Sequence, residues 1–76
     1  MESKADKFQR LAEARVNKAI SSIRSVGKLA NRSHYEFSRS DVRKIFTALR
    51  EELDEAKGGF DASLQKTAKK SFQLKE

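Results

Sequence analysis

Apolar positions in this chain recur at helical rather than strand spacing. In the run FSRSDVRKIFTALREELDEAKGGF, residues 37–60, Val42, Ile45, Phe46, Leu49, Leu53 and Ala56 follow one another at three- and four-residue steps. That spacing keeps side chains on one face of an α-helix. The start of the run is marked as well. Ser38, with Asp41 three residues on, has the form of a capping box in which Asp replaces the usual Glu or Gln. Phe37 lies just outside the cap and Val42 at the fourth helical position, the spacing of a hydrophobic staple. The pattern predicts a helix over 39–57.

A second stripe precedes it. Phe8, Leu11, Ala12, Val16, Ala19, Ile20, Ile23, Val26, Leu29 and Ala30 fall within one half of a helical wheel. Lys7, Arg10, Asn17, Lys18, Ser21, Arg24, Ser25 and Lys28 occupy the other half. This predicts an amphipathic helix over 4–30, capped by Ser3. Gly27 inside the pattern loosens its last turn or admits a neighbouring backbone. Residues 31–38 read as the connection, with Asn31 expected to cap the first helix in the left-handed conformation. Tyr35 and Phe37 are too apolar for a wholly solvated loop, so at least one is expected to fold over the helix ends. A short connection between helices favours antiparallel neighbours.

Gly58-Gly59 is a stop signal, since two glycines cost about 2 kcal/mol relative to alanine inside a helix. The stripe nevertheless keeps its phase through Phe60, Leu64, Ala68 and Phe72. A helical segment over 60–73 follows. It either continues the second helix, bent or straight, or folds back as a third helix capped by Asp61 or Ser63; the preserved phase favours continuation.

The fold class expected is therefore all-α. It is one domain, residues 1–76, an antiparallel two-helix hairpin with a helical C-terminal extension, completed by that extension, by a second copy in a dimer or by a different protein. Seventy-six residues without cysteine leave a small core and no disulfide or thiolate–zinc staple to reinforce it. A bare hairpin is then short of burial, and a closed two-fold dimer is the economical remedy. The aromatics Phe8, Phe46, Phe60 and Phe72 lie in the stripes and read as core residues.

Charge narrows the partners. The net charge is +6. Residues 1–34 hold eight bases and three acids, residues 35–57 five and six, and residues 58–76 four and two. The positive charge thus sits on the first helix and the tail. Lys7, Arg10, Lys18, Arg24 and Lys28, with Lys66, Lys69 and Lys70 in the tail (where Lys75 adds a further base), are candidate contacts to a nucleic acid or an acidic partner. Tyr35 is the candidate exposed aromatic contact. Two readings of the basic face stand side by side: a solvated face that keeps a small protein soluble, and a surface that tracks a phosphate backbone. A helix-turn-helix is disfavoured, because the connection is twice the three or four residues that motif needs.

Catalysis has little to work with. His34 is the single histidine and there is no cysteine, so no usual nucleophile–base pair exists. Glu51, Glu52, Asp54 and Glu55 spread around the helix instead of converging on a metal. Asn31-Arg32-Ser33 has the form of a glycosylation acceptor but lacks the secretory context that would give it meaning. No cofactor and no small-molecule substrate is expected. No apolar run reaches the roughly 18 residues of a membrane span. An interfacial membrane helix is disfavoured by the alanines of the first stripe and the absence of Trp. A cytoplasmic, non-enzymatic protein is the expectation.

The elements Arg10-Leu11-Ala12-Glu13, Arg15-Val16, Ile23-Arg24, Leu29-Ala30-Asn31-Arg32-Ser33, Tyr35-Glu36-Phe37 and Asp41-Val42-Arg43-Lys44-Ile45 lie within residues 10–57. That stretch resembles a set of short uncharacterised bacterial helical proteins, many encoded on plasmids and phages. The resemblance covers about two thirds of the chain. It implies an autonomous small protein with a role in mobile-element biology, as an accessory regulator or an inhibitor of a host nuclease or defence complex. It transfers no activity. Gly58-Gly59 and the basic tail depart from the usual end of such proteins, so nothing is carried over there.

Overall fold

The computed structural model describes the backbone of residues 1–74 and the side chains of residues 1–65. The described residues are all-helical, without a strand: α1 spans Lys4–Gly27 and α2 spans Arg39–Leu74. The chain divides into two units, Met1–Glu36 and Phe37–Glu76.

Both helices start where their side chains supply a cap. Ser3 is extended, with φ −75° and ψ 168°, and its Oγ accepts the Asp6 N–H at 3.0 Å. Asp6 lies in the first turn of α1, and an acid there suits the positive end of the helix dipole. At α2 the capping box closes in both directions. The Asp41 N–H donates to Ser38 Oγ at 3.1 Å, and the Ser38 N–H donates to Asp41 Oδ2 at 2.8 Å. Asp is one methylene shorter than Glu, yet it completes the reciprocal pair. Phe37, before the cap, is half-buried. Ser38→Ala is expected to cost about 1 kcal/mol of α2 stability. Amide hydrogen exchange at residue 41 would report it, as faster exchange confined to the start of α2.

α1 ends at Gly27, three residues before its stripe does. The reason is local. The Leu29 N–H donates to the Val26 carbonyl at 3.0 Å and the Ala30 N–H to the Gly27 carbonyl at 3.1 Å, a tighter three-residue pattern. The Lys28 N–H is shared between the Arg24 and Ser25 carbonyls, at 3.2 Å each. Carbonyls that a continuing helix would have paired are therefore satisfied by the turn itself. Asn31 does not adopt the expected left-handed cap, since its φ is not positive. It works through its side chain instead. Asn31 Oδ1 accepts the Ser33 N–H at 3.0 Å, an Asx turn, and the Asn31 carbonyl accepts the His34 and Tyr35 N–H groups at 3.1 and 2.9 Å.

α2 runs through Gly58-Gly59 without a break. Two energies decide this. Keeping both glycines in the helix costs about 2 kcal/mol. Stopping and restarting a helix incurs the nucleation penalty, about 4 kcal/mol for a nucleation parameter near 10⁻³. The Lys57 ammonium also reaches Asp61 Oδ2 at 3.5 Å, bridging the glycine pair. Asp61 is thus an interior residue of α2 and not the cap of a third helix.

No described residue is buried. Leu11, Ala12, Val26, Phe37 and Leu49 are half-buried and the rest are exposed. The aromatics read as core are not core in the single chain: Phe8 is 58 %, Phe46 38 % and Phe60 57 % exposed. Each helix is held by backbone hydrogen bonds, caps and local ion pairs, and an isolated helix so supported is marginal in water.

Candidate interaction surfaces

Two kinds of surface are built from these elements, one apolar and one basic. On α2, Val42, Phe46, Leu49, Leu53, Ala56 and Phe60 line one face in a sector of about 80°, from the 3.6-residue turn. Leu53 is 69 % and Leu64 70 % exposed. On α1, Val16, Ala19, Ile23 and Val26 form the centre of the stripe, and Val16 and Ile23 are 55 % and 51 % exposed. Side chains that carry this much apolar surface are left in water on both helices.

The basic surface lies across α1 from that stripe. Lys7, Arg10, Lys18, Arg24 and Lys28 fall in a sector of about 120°. Lys28 keeps the phase although it lies past the helix, because as C-cap it retains helical torsions, φ −68° and ψ −13°. Arg24 in the last turn also suits the negative end of the dipole. All five are exposed.

Arg10 differs from the other four. Glu2 folds back along the first turns, and its carboxylate accepts from Arg10 Nε at 2.7 Å and Nη2 at 3.1 Å. The Glu2 carboxylate raises the Arg10 pKa above its ordinary value, against a smaller opposite push from desolvation. The guanidinium stays cationic, but its charge is compensated within the chain. Lys7, Lys18, Arg24 and Lys28 make no ion pair among the described residues. Periodicity gave no sign of the Glu2–Arg10 pair, because Glu2 precedes the cap and the separation is eight residues. Lys66, Lys69 and Lys70 lie outside the residues whose side chains are described, and so do Ala68 and Phe72. Lys75 lies outside the described residues altogether.

Tyr35 is 49 % exposed. Its ring meets His34 edge to face, with centroids 6.3 Å apart and planes at 88°. The Asx turn at Asn31 fixes the backbone that carries both rings. Among the described residues no group of His, Asp and Glu is arranged to hold a metal ion. No helix of the described residues is long and apolar enough to cross a membrane. No protein-family profile, curated protein or solved structure matches the chain.

Proposed function

We propose that this chain is a small non-enzymatic helical interaction protein that acts by binding another macromolecule. Its two apolar stripes pair antiparallel, and it works as a homodimer in the cytoplasm. The setting is that of a mobile element, with the protein serving as an accessory regulator or an inhibitor of a host nuclease or defence complex. The observation that supports this reading is that no described residue of either stripe is buried and most are exposed. Contiguous apolar surface of that kind marks sites where another chain docks. Burying it is also the largest favourable term open to helices that have no core of their own, at about 25 cal/mol per Å².

Sedimentation equilibrium tests the reading. The expected result is a species of twice the 8.6 kDa chain mass, with helix content that rises with protein concentration. A monomer whose helix content is independent of concentration overturns it.

A second reading rests on a separate observation, the uncompensated basic sector of Lys7, Lys18, Arg24 and Lys28. It makes the chain a nucleic-acid-binding accessory protein that contacts the phosphate backbone. For about four phosphate contacts, log K should fall with log salt at a slope near −3.6 on duplex DNA. That predicts a loss of roughly 150-fold between 50 and 200 mM salt, abolished by charge reversal at Arg24 and Lys28. Absence of binding to DNA and RNA at low salt eliminates this reading.

A further inference from the structure

The stripes are more regular than amphipathic helices require. On α2, Val42, Phe46, Leu49, Leu53, Ala56 and Phe60 alternate steps of four and three. On α1 the same alternation runs Ala12, Val16, Ala19, Ile23 and Val26. A 4-3 alternation, kept here for about two heptads on each helix, is the spacing of a left-handed coiled-coil seam, in which each seam residue enters a hole on the facing helix.

The sizes along the two seams are complementary when the helices run antiparallel. Placing Ile23 beside Val42 sets Ala19 beside Phe46, Val16 beside Leu49 and Ala12 beside Leu53. Phe46 and Leu53 then each meet an alanine, and Leu49 meets Val16. The residues flanking the seams discriminate among registers. In this one, Glu13 lies beside Arg50 and Arg15 beside Glu52. Sliding α1 by one heptad either way separates Arg15 from Glu52 and leaves Arg15 beside Ile45 or Gly59.

Two further facts fit the same register. Glu13, Arg15, Arg50 and Glu52 make no ion pair among the described residues, whereas Arg10 and Lys57 are each paired within their own helix unit. Gly59 has no steric reason to be glycine in the single chain, because a Cβ there meets nothing within 4 Å. In this register Gly59 flanks Phe8 of the facing helix and leaves room for its ring.

Resting on the self-association reading, we infer that α1 of one copy docks antiparallel on α2 of a second copy, reciprocally, in the register that sets Glu13 beside Arg50 and Arg15 beside Glu52. The occupant is a second copy because the charges that flank the α1 seam complement those that flank the α2 seam of the same sequence. Antiparallel pairing of α2 with α2 is opposed by charge, since it would bring the flanking Arg43, Arg50 and Lys57 against their own copies. The reciprocal arrangement is isologous: every contact occurs twice, once for each copy.

Two charge-exchanged chains test this without altering net charge. One carries Glu13→Arg with Arg15→Glu, and the other Arg50→Glu with Glu52→Arg. Each alone places four like-charge pairs across its own dimer. A dimer of one with the other restores all four attractions. The expected result is that each variant alone dimerises at least about tenfold more weakly than wild type, and that a refolded equimolar mixture recovers wild-type affinity and helix content. Two weakened variants that show no rescue on mixing overturn the inference, since pairing within one chain cannot be restored by a second. Variants that dimerise like wild type also overturn it, by showing the register to be wrong, and leave the self-association reading standing. A wild-type chain that is monomeric in the same sedimentation run sinks that reading and this one together.

Discussion

Phe46→Asp is expected to abolish self-association and, with it, most of the ordered helix. Phe46 is 38 % exposed on the α2 stripe, and it is the second residue of the 4-3 run, between Val42 and Leu49. Truncating a buried aromatic costs about 3–5 kcal/mol per site. A closed dimer contains the site twice, and an aspartate there also adds the cost of desolvating a carboxylate. A weakening of the dimer by more than about a thousandfold follows from two such sites. Sedimentation against concentration reads the association, and circular dichroism reads the helix. Lys44→Asp is the matched control, with the same charge introduced on the opposite side of α2. It is expected to leave the dimer within about threefold of wild type. If Phe46→Asp behaved like its control, the apolar stripe would not be the docking surface.

The glycine pair carries the second large effect. Gly58 and Gly59 lie inside a continuous helix, and a Cβ at either meets nothing within 4 Å in the single chain. Neither has positive φ. Alanine at each therefore gains helix propensity without a steric penalty, about 1 kcal/mol per site and about 2 kcal/mol for the pair. Gly58 is the cleaner position, since it points away from the stripe by roughly 160°, counted from Val42 on a 3.6-residue turn. Gly58→Ala is expected to raise the thermal midpoint whatever the oligomeric state. Gly59→Ala is expected to do so in dilute solution, where the chains are separate. In the dimer its gain is reduced, because the added methyl meets the Phe8 ring. Equal stabilisation by the two substitutions at high concentration would remove Gly59 from the proposed interface.

The two helix starts were legible because their determinants are a few residues apart. Ser38 and Asp41 close a reciprocal pair at the start of α2, and Ser3 accepts the Asp6 N–H at the start of α1. The helix ends were not legible in the same way. At Gly27 a continuing α-turn and a tighter turn offer the Leu29 and Ala30 N–H groups nearly equivalent carbonyls, and the tighter turn is the one made. At Gly58 the cost of two glycines competes with the cost of a new nucleus, and sequence pattern shows only the first. The basic sector was legible as a set of phases on a wheel. The compensation of Arg10 by Glu2 was not, since it joins a helical residue to one outside the helix.

From its sequence alone this protein was bound to be helical, with starts at Ser3 and Ser38, two apolar faces and a cationic back to the first helix. Those properties depend on neighbours within about four positions, where spacing and side-chain chemistry are enough. The three-dimensional structure decided where α1 stops, whether α2 survives its glycines and how much of each apolar face stays in water. Each of these is a comparison of free energies between alternative backbone paths. Pattern records which contacts are available, and only the folded path shows which of them are made.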